Sequence, residues 1–151
     1  MRAIIQRCDE AQVTADGKIT GKIVGGLFVL LGVQNDDTKA DADILAAKVA
    51  NLRIFCDSQD KMNLSVLDVS KEILVVSNFT LCADTKKGNR PSFIGAMKPP
   101  ESEHMYEYFM DALVKNGVKK VEGGKFGADM EIDAKLCGPI TITLDSIQWR
   151  K

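Results

Sequence analysis

Two short segments, LFVLLGV at 27–33 and ILVV at 73–76, constrain this chain more than anything else in it. Neither alternates apolar with polar residues. A strand with water on one face alternates, so an unbroken apolar run of this length marks a strand covered on both faces. A fold that holds two such strands needs other layers above and below them. The stretch between the two runs supplies one layer. Asp37 or Thr38 can cap a helix running to about Ile54, and its Leu45, Val49 and Leu52 fall on one face.

The rest of the chain fits around that centre. A first strand spans Arg2 to about Thr14. Asp16-Gly17 signals a hairpin turn into a second strand at about Lys18 to Val24. Pro99-Pro100 precede a second helix, about Glu101 to Asn116, striped by Met105, Phe109, Ala112 and Leu113. Three strands are expected in the tail, at about Lys119 to Glu122, Ala128 to Ala134 and Ile140 to Ser146. The expected fold is a single α/β domain, 1–151, in the order β-β-β-α-β-α-β-β-β, with layered mixed sheets and two helices. At 151 residues one domain suffices, and the core needs no covalent staples. Sheet edges left open in such a fold need covering, and a dimer partner is one way to cover them.

Composition excludes several function classes. The net charge of −1 provides no global field for nucleic-acid backbones, which argues against a non-specific DNA binder. Cys8, Cys56, Cys82 and Cys137 form no CxxC pair, and His104 is the single histidine, so neither a metal nor a cofactor is expected. Scattered thiols, no export signal and no membrane-length apolar run read as a soluble cytoplasmic protein without a membrane partner. GGKFG at 123–127 does not run from a strand into a helix, so it fails as a dinucleotide loop. His104 sits beside Glu103 on a charged helix surface, which suits a solvated side chain better than a triad.

Two places keep chemical interest. One is SNFTL at 77–81, where a buried strand ends. Ser77 and Thr80 bring hydroxyls there, and free backbone N–H groups can hold a carbonyl oxygen. The same hydroxyls would also serve simply to satisfy a strand end. The other is Gly138-Pro139, placed where a strand of alternating Ile140, Ile142 and Leu144 should begin. Glycine before proline allows close backbone approach to a ligand, and X-Pro is where cis peptides occur. Local sequence by itself favours a plain turn between strands.

Taken together, these segments resemble the D-aminoacyl-tRNA deacylases, once called D-tyrosyl-tRNA deacylases. The likeness runs from MRAIIQR at 1–7 through GLFVLLGV at 26–33, the DAD at 41–43, LRIF at 52–55 and KMNLSVLDV at 61–69. It continues through VVSNFTL at 75–81, KGNRPSF at 87–93, GKFGADM at 124–130 and CGPIT at 137–141. Two family motifs are in register, Ser-Gln-Phe-Thr-Leu and Asn-x-Gly-Pro-x-Thr. The resemblance implies a hydrolase that cleaves the ester between a D-amino acid, or glycine, and the terminal adenosine of tRNA. Its partner is the 3′ end of aminoacyl-tRNA.

It further implies a homodimer in which Gly138-Pro139, as a cis pair, enters the other subunit's pocket and excludes L side chains. Ser77, Phe79 and Thr80 would be catalytic, the Phe79 N–H holding the developing oxyanion. Asn78, Phe126, Met130, Gly138 and Pro139 would bind substrate, with Phe126 stacking on the terminal adenine. Lys86, Lys87 and Arg90 would meet tRNA phosphates, and Arg7 would support the Gly-Pro loop. Two positions depart from the motifs. Asn78 replaces the family's Gln, and Leu136 replaces its Asn. A non-catalytic tRNA-end-binding protein on the same scaffold is the alternative those departures suggest.

Overall fold

A computed structural model describes residues 1–150. The strand at Arg2–Ala15 (β1) is the organising element. Its buried residues alternate, including Ala3, Ile5, Ala11, Val13 and Ala15. One edge of β1 pairs antiparallel first with Gly26–Gly32 (β3) and then with Lys18–Ile23 (β2). The other edge pairs along nearly its whole length with Met130–Asp145 (β8). Glu72–Ser77 (β6) lies parallel to β3, and Val121–Gly123 (β7) lies parallel to β6. A short hairpin, Phe55–Cys56 (β4) with Met62–Leu64 (β5), forms a separate small sheet.

The two apolar runs become β3 and β6, side by side at the centre. Alternate residues serve two cores. Leu27, Val29, Leu31, Ile73 and Val75 face the helices Lys39–Asn51 (α1) and Glu101–Lys115 (α2), together with Leu45, Val49, Phe109 and Leu113. Phe28, Leu74 and Val76 face the other way, where β2 curls over and Val13 and Ile23 complete a second core. Gly21 permits that curl, because a Cβ there would lie 2.5 Å from the Gly123 carbonyl oxygen. Helix α1 is capped by Thr38, whose backbone N–H and hydroxyl both donate to Asp41.

The structure corrects the expected order in the tail. The segments at Ala128 to Ala134 and Ile140 to Ser146 are not two strands. They are parts of one 16-residue strand, β8, that runs straight through Gly138-Pro139. The interruption appears in the register instead. Gln6 pairs with Thr141 and Cys8 with Leu136, so two steps along β1 match five along β8. The surplus residues bulge out of the ladder, which lets a proline without an N–H sit inside a strand. The β4–β5 hairpin was absent from the expected order. Helix α1 also stops three residues before Ile54, where Leu52 turns to extended backbone.

Candidate active site

The C-terminal end of β6 delivers the chain into a 3-10 turn at Phe79–Cys82. Gly32, at the end of β3, allows that turn to pack closely: a Cβ there would come within 2.9 Å of the Leu81 Cβ. Asn78 caps the turn, its side-chain oxygen accepting from the Thr80 N–H at 3.2 Å and also from the Thr80 hydroxyl. The Asn78 N–H donates to the Leu31 carbonyl, and the Thr80 carbonyl accepts from Ala83. Among the described residues the Phe79 N–H has no acceptor. It is therefore available to a ligand.

A cavity of about 620 Å³ opens beside this turn. Ser77, Asn78 and Phe79 form one side. Phe126, Gly127, Ala128 and Met130 form the second, and Phe93, Ala96 to Pro99 and Ser102 form the third. Phe79 and Phe93 meet edge to face with ring centroids 5.0 Å apart. Phe126 is propped from behind by Tyr106, at 5.9 Å between centroids. The Tyr106 hydroxyl donates to the buried Val75 carbonyl at 2.9 Å. Burial pushes the Tyr106 phenol up to about 12, so it stays a neutral prop.

Five of the eight expected site residues thus border one cavity: Ser77, Asn78, Phe79, Phe126 and Met130. Thr80 is exposed beyond its rim, held by Asn78. Gly138 and Pro139 are exposed on the β8 bulge, and nothing from 137–141 lines the same chain's cavity. The peptide between them is cis, and Gly138 has φ +121°, where a Cβ would crowd the Ile140 nitrogen at 2.7 Å. Arg7 lies opposite this bulge in the β1–β8 ladder. Its guanidinium donates to the Ile54 carbonyl at 2.9 Å. Burial works against its charge, but the neighbouring Cys137 and Cys56 sulfurs hold Arg7 above its ordinary range.

The departures from the family motifs do not form one linked site. Asn78 turns toward Thr80, whereas Leu136 sits on β8 opposite Cys8. The third wall of the cavity, Phe93, Ala96 to Pro99 and Ser102, went unseen in the sequence. Its only local signal is the Pro99-Pro100 pair that turns the chain into α2.

The architecture defines a class: a mixed α/β domain with a nucleoside-sized cavity at the carboxyl end of a central parallel strand, fitted with a free backbone donor and an aromatic ring. The protein-family model described as D-Tyr-tRNA(Tyr) deacylase matches residues 4–145. The chain belongs to that family. It is 49% identical over 146 residues to a D-aminoacyl-tRNA deacylase of Thermosipho melanesiensis, covering 97% of each chain. It is 51% identical to the protein of that name in Caldicellulosiruptor bescii, again over 97% of each.

Among solved structures, one described as c-Myc DNA Unwinding Element Binding Protein superposes with a TM-score of 0.90 at 39% identity, over 96% of this chain and 98% of that one. A second, described as a probable eukaryotic D-amino acid tRNA deacylase, gives 0.79 at 18% identity over 95% and 97%, and shares the fold. Among the described residues no helix is long and apolar enough to cross a membrane.

Proposed function

We propose that this protein hydrolyses the ester joining a D-amino acid, or glycine, to the terminal adenosine of tRNA, removing wrong-handed residues before translation uses them. The observation that carries the reading is the free Phe79 N–H at the mouth of a cavity that also presents Phe126. The substrate carbonyl would accept from Phe79, and the adenine would stack on Phe126. A backbone donor aimed at the developing oxyanion contributes about 3 kcal/mol to lowering the barrier. Base stacking on an aromatic ring contributes roughly 1–3 kcal/mol.

The nucleophile in this reading is water, activated by the substrate's own ribose hydroxyl. Among the described residues no imidazole or carboxylate lines the cavity, so neither is there to activate Thr80. The Thr80 hydroxyl is already engaged as a donor to Asn78. Thr80→Ala is expected to retain most of the rate.

Chirality would be read by main chain lent from a second copy. Gly138-Pro139 projects from one protomer, away from its own cavity, and in a homodimer would enter its partner's. A rigid backbone at the α-carbon rejects an L side chain by collision while ignoring what a D side chain is. Exclusion discriminates here better than an attractive pocket, which accepts anything smaller. Loss of D-Tyr-tRNA and L-Tyr-tRNA esters, followed in parallel, tests the activity. Equal rates would refute it, and tight binding without turnover would favour the non-catalytic alternative. Sedimentation alongside the assay tests the dimer, because a fully active monomer is incompatible with a borrowed lip.

A further inference from the structure

We propose that Lys98 is a positioning residue that binds the phosphodiester immediately 5′ of the substrate's terminal adenosine; the inference rests on the deacylase reading above. Among the described residues Lys98 is the one charged residue lining the cavity, whose other walls are apolar or neutral. Its ammonium has no carboxylate partner among the described residues. Lys120 and Lys125, by contrast, are tied to Glu72 and Asp16. Glu101 and Glu103, in the first turn of α2, do not line the cavity. An unpaired cation at the rim of an apolar cavity is an invitation to an anion.

The backbone beneath this ammonium is fixed. The Met97 N–H donates to the Val33 carbonyl at 3.0 Å, and the Lys98 carbonyl accepts from the Ser102 N–H at 3.1 Å. Only the side chain remains free to reach a ligand. With adenine on Phe126 and the ester carbonyl at Phe79, the aminoacyl-adenosine fills the cavity. The anion nearest to that nucleoside is the phosphate linking it to the preceding nucleotide. Lysine suits this contact because a compact, mobile point charge needs no fixed approach geometry. Lys86, Lys87 and Arg90 lie on the loop after the 3-10 turn and do not line the cavity, so they address more distant phosphates.

The test compares two substrates that differ in this phosphate: D-tyrosyl-tRNA and D-tyrosyl-adenosine. Lys98→Ala is expected to raise KM for the tRNA about tenfold, as loss of one charge-assisted contact does, with kcat within about twofold. It should leave the nucleoside ester unaffected. The slope of log kcat/KM against log salt for the tRNA should fall by about 0.7, the value for one single-strand phosphate contact. Lys98→Arg should recover most of the KM. Equal losses on both substrates, or none on either, would overturn the proposal. Wild-type protein that turns over neither D ester would instead strike down the deacylase reading, and this inference with it.

Discussion

Asp41 provides a quantitative test of how the fold is closed. The residue is 5% exposed and its carboxylate accepts four hydrogen bonds. Two come from Thr38, through N–H at 2.8 Å and hydroxyl at 2.9 Å. One comes from the Ser146 hydroxyl at 2.8 Å and one from Arg150 Nε at 2.7 Å. This carboxylate joins the start of α1 to the segment after β8. Ser146 in turn accepts from the Met1 ammonium at 2.7 Å.

In Asp41→Ala the donors of Thr38 and the Ser146 hydroxyl lose their acceptor. Ser146 keeps Met1, and Arg150 keeps Asp36 and Asp37. The expected cost is about 3 kcal/mol, the low end for truncating one member of a buried charged cluster. In a domain of this size about 3 kcal/mol corresponds to a fall in Tm of roughly 6–12 °C. Burial raises the Asp41 pKa, but the donors outweigh it, led by Arg150 and followed by Thr38 and Ser146, and hold the carboxyl well below the usual range. A depressed folded pKa contributes stability that is fully present above the unfolded value of about 3.9 and is lost progressively as pH falls from there through the folded value.

Calorimetric melts should therefore show the full difference between wild type and variant near neutrality, narrowing below about pH 4. A neutral-pH difference under about 1 kcal/mol would refute the cluster's role, as the value expected of an ordinary surface site. A difference that persists unchanged into strong acid would refute the ionised state.

Three further outcomes are expected. Phe126→Ala should raise KM for D-aminoacyl-tRNA between about fivefold and about a hundredfold, matching the loss of one stacked base, with a steady-state assay as the check. Tyr106→Phe removes a buried donor, but the Val75 carbonyl still accepts from the Gly124 N–H. The cost should be only about 1 kcal/mol by denaturant titration. Gly26→Ala should abolish soluble expression or cost more than about 3 kcal/mol, because φ is +147° and the new Cβ would lie 1.9 Å from the Glu72 carbonyl oxygen.

Gly138-Pro139 shows where local reading fails. Both residues signal a strand's end, so local signals predict two short strands. The decision belongs to β1, which pairs on either side of the bulge and keeps the ladder continuous across it. The lining drawn from 93–102 was hidden for a related reason. It has no apolar period of its own, and it becomes a wall only because Met97 bonds to the end of β3 and Ala96 bridges to Gln34.

The order of residues alone determined the pair of fully covered central strands, the two amphipathic helices, the strand end at 77–81 and the Gly-Pro pair at 138–139. Those features follow from periodicity and from residue types whose backbone demands are local. Only the tertiary structure decided that Phe126 faces Phe79 across one cavity, that Lys98 stands unpaired at its rim, and that Gly138-Pro139 points away from its own chain's site. Each is a relation between segments far apart in sequence. It is set by how β3, β6 and β1 pack, and packing is not written in any one stretch.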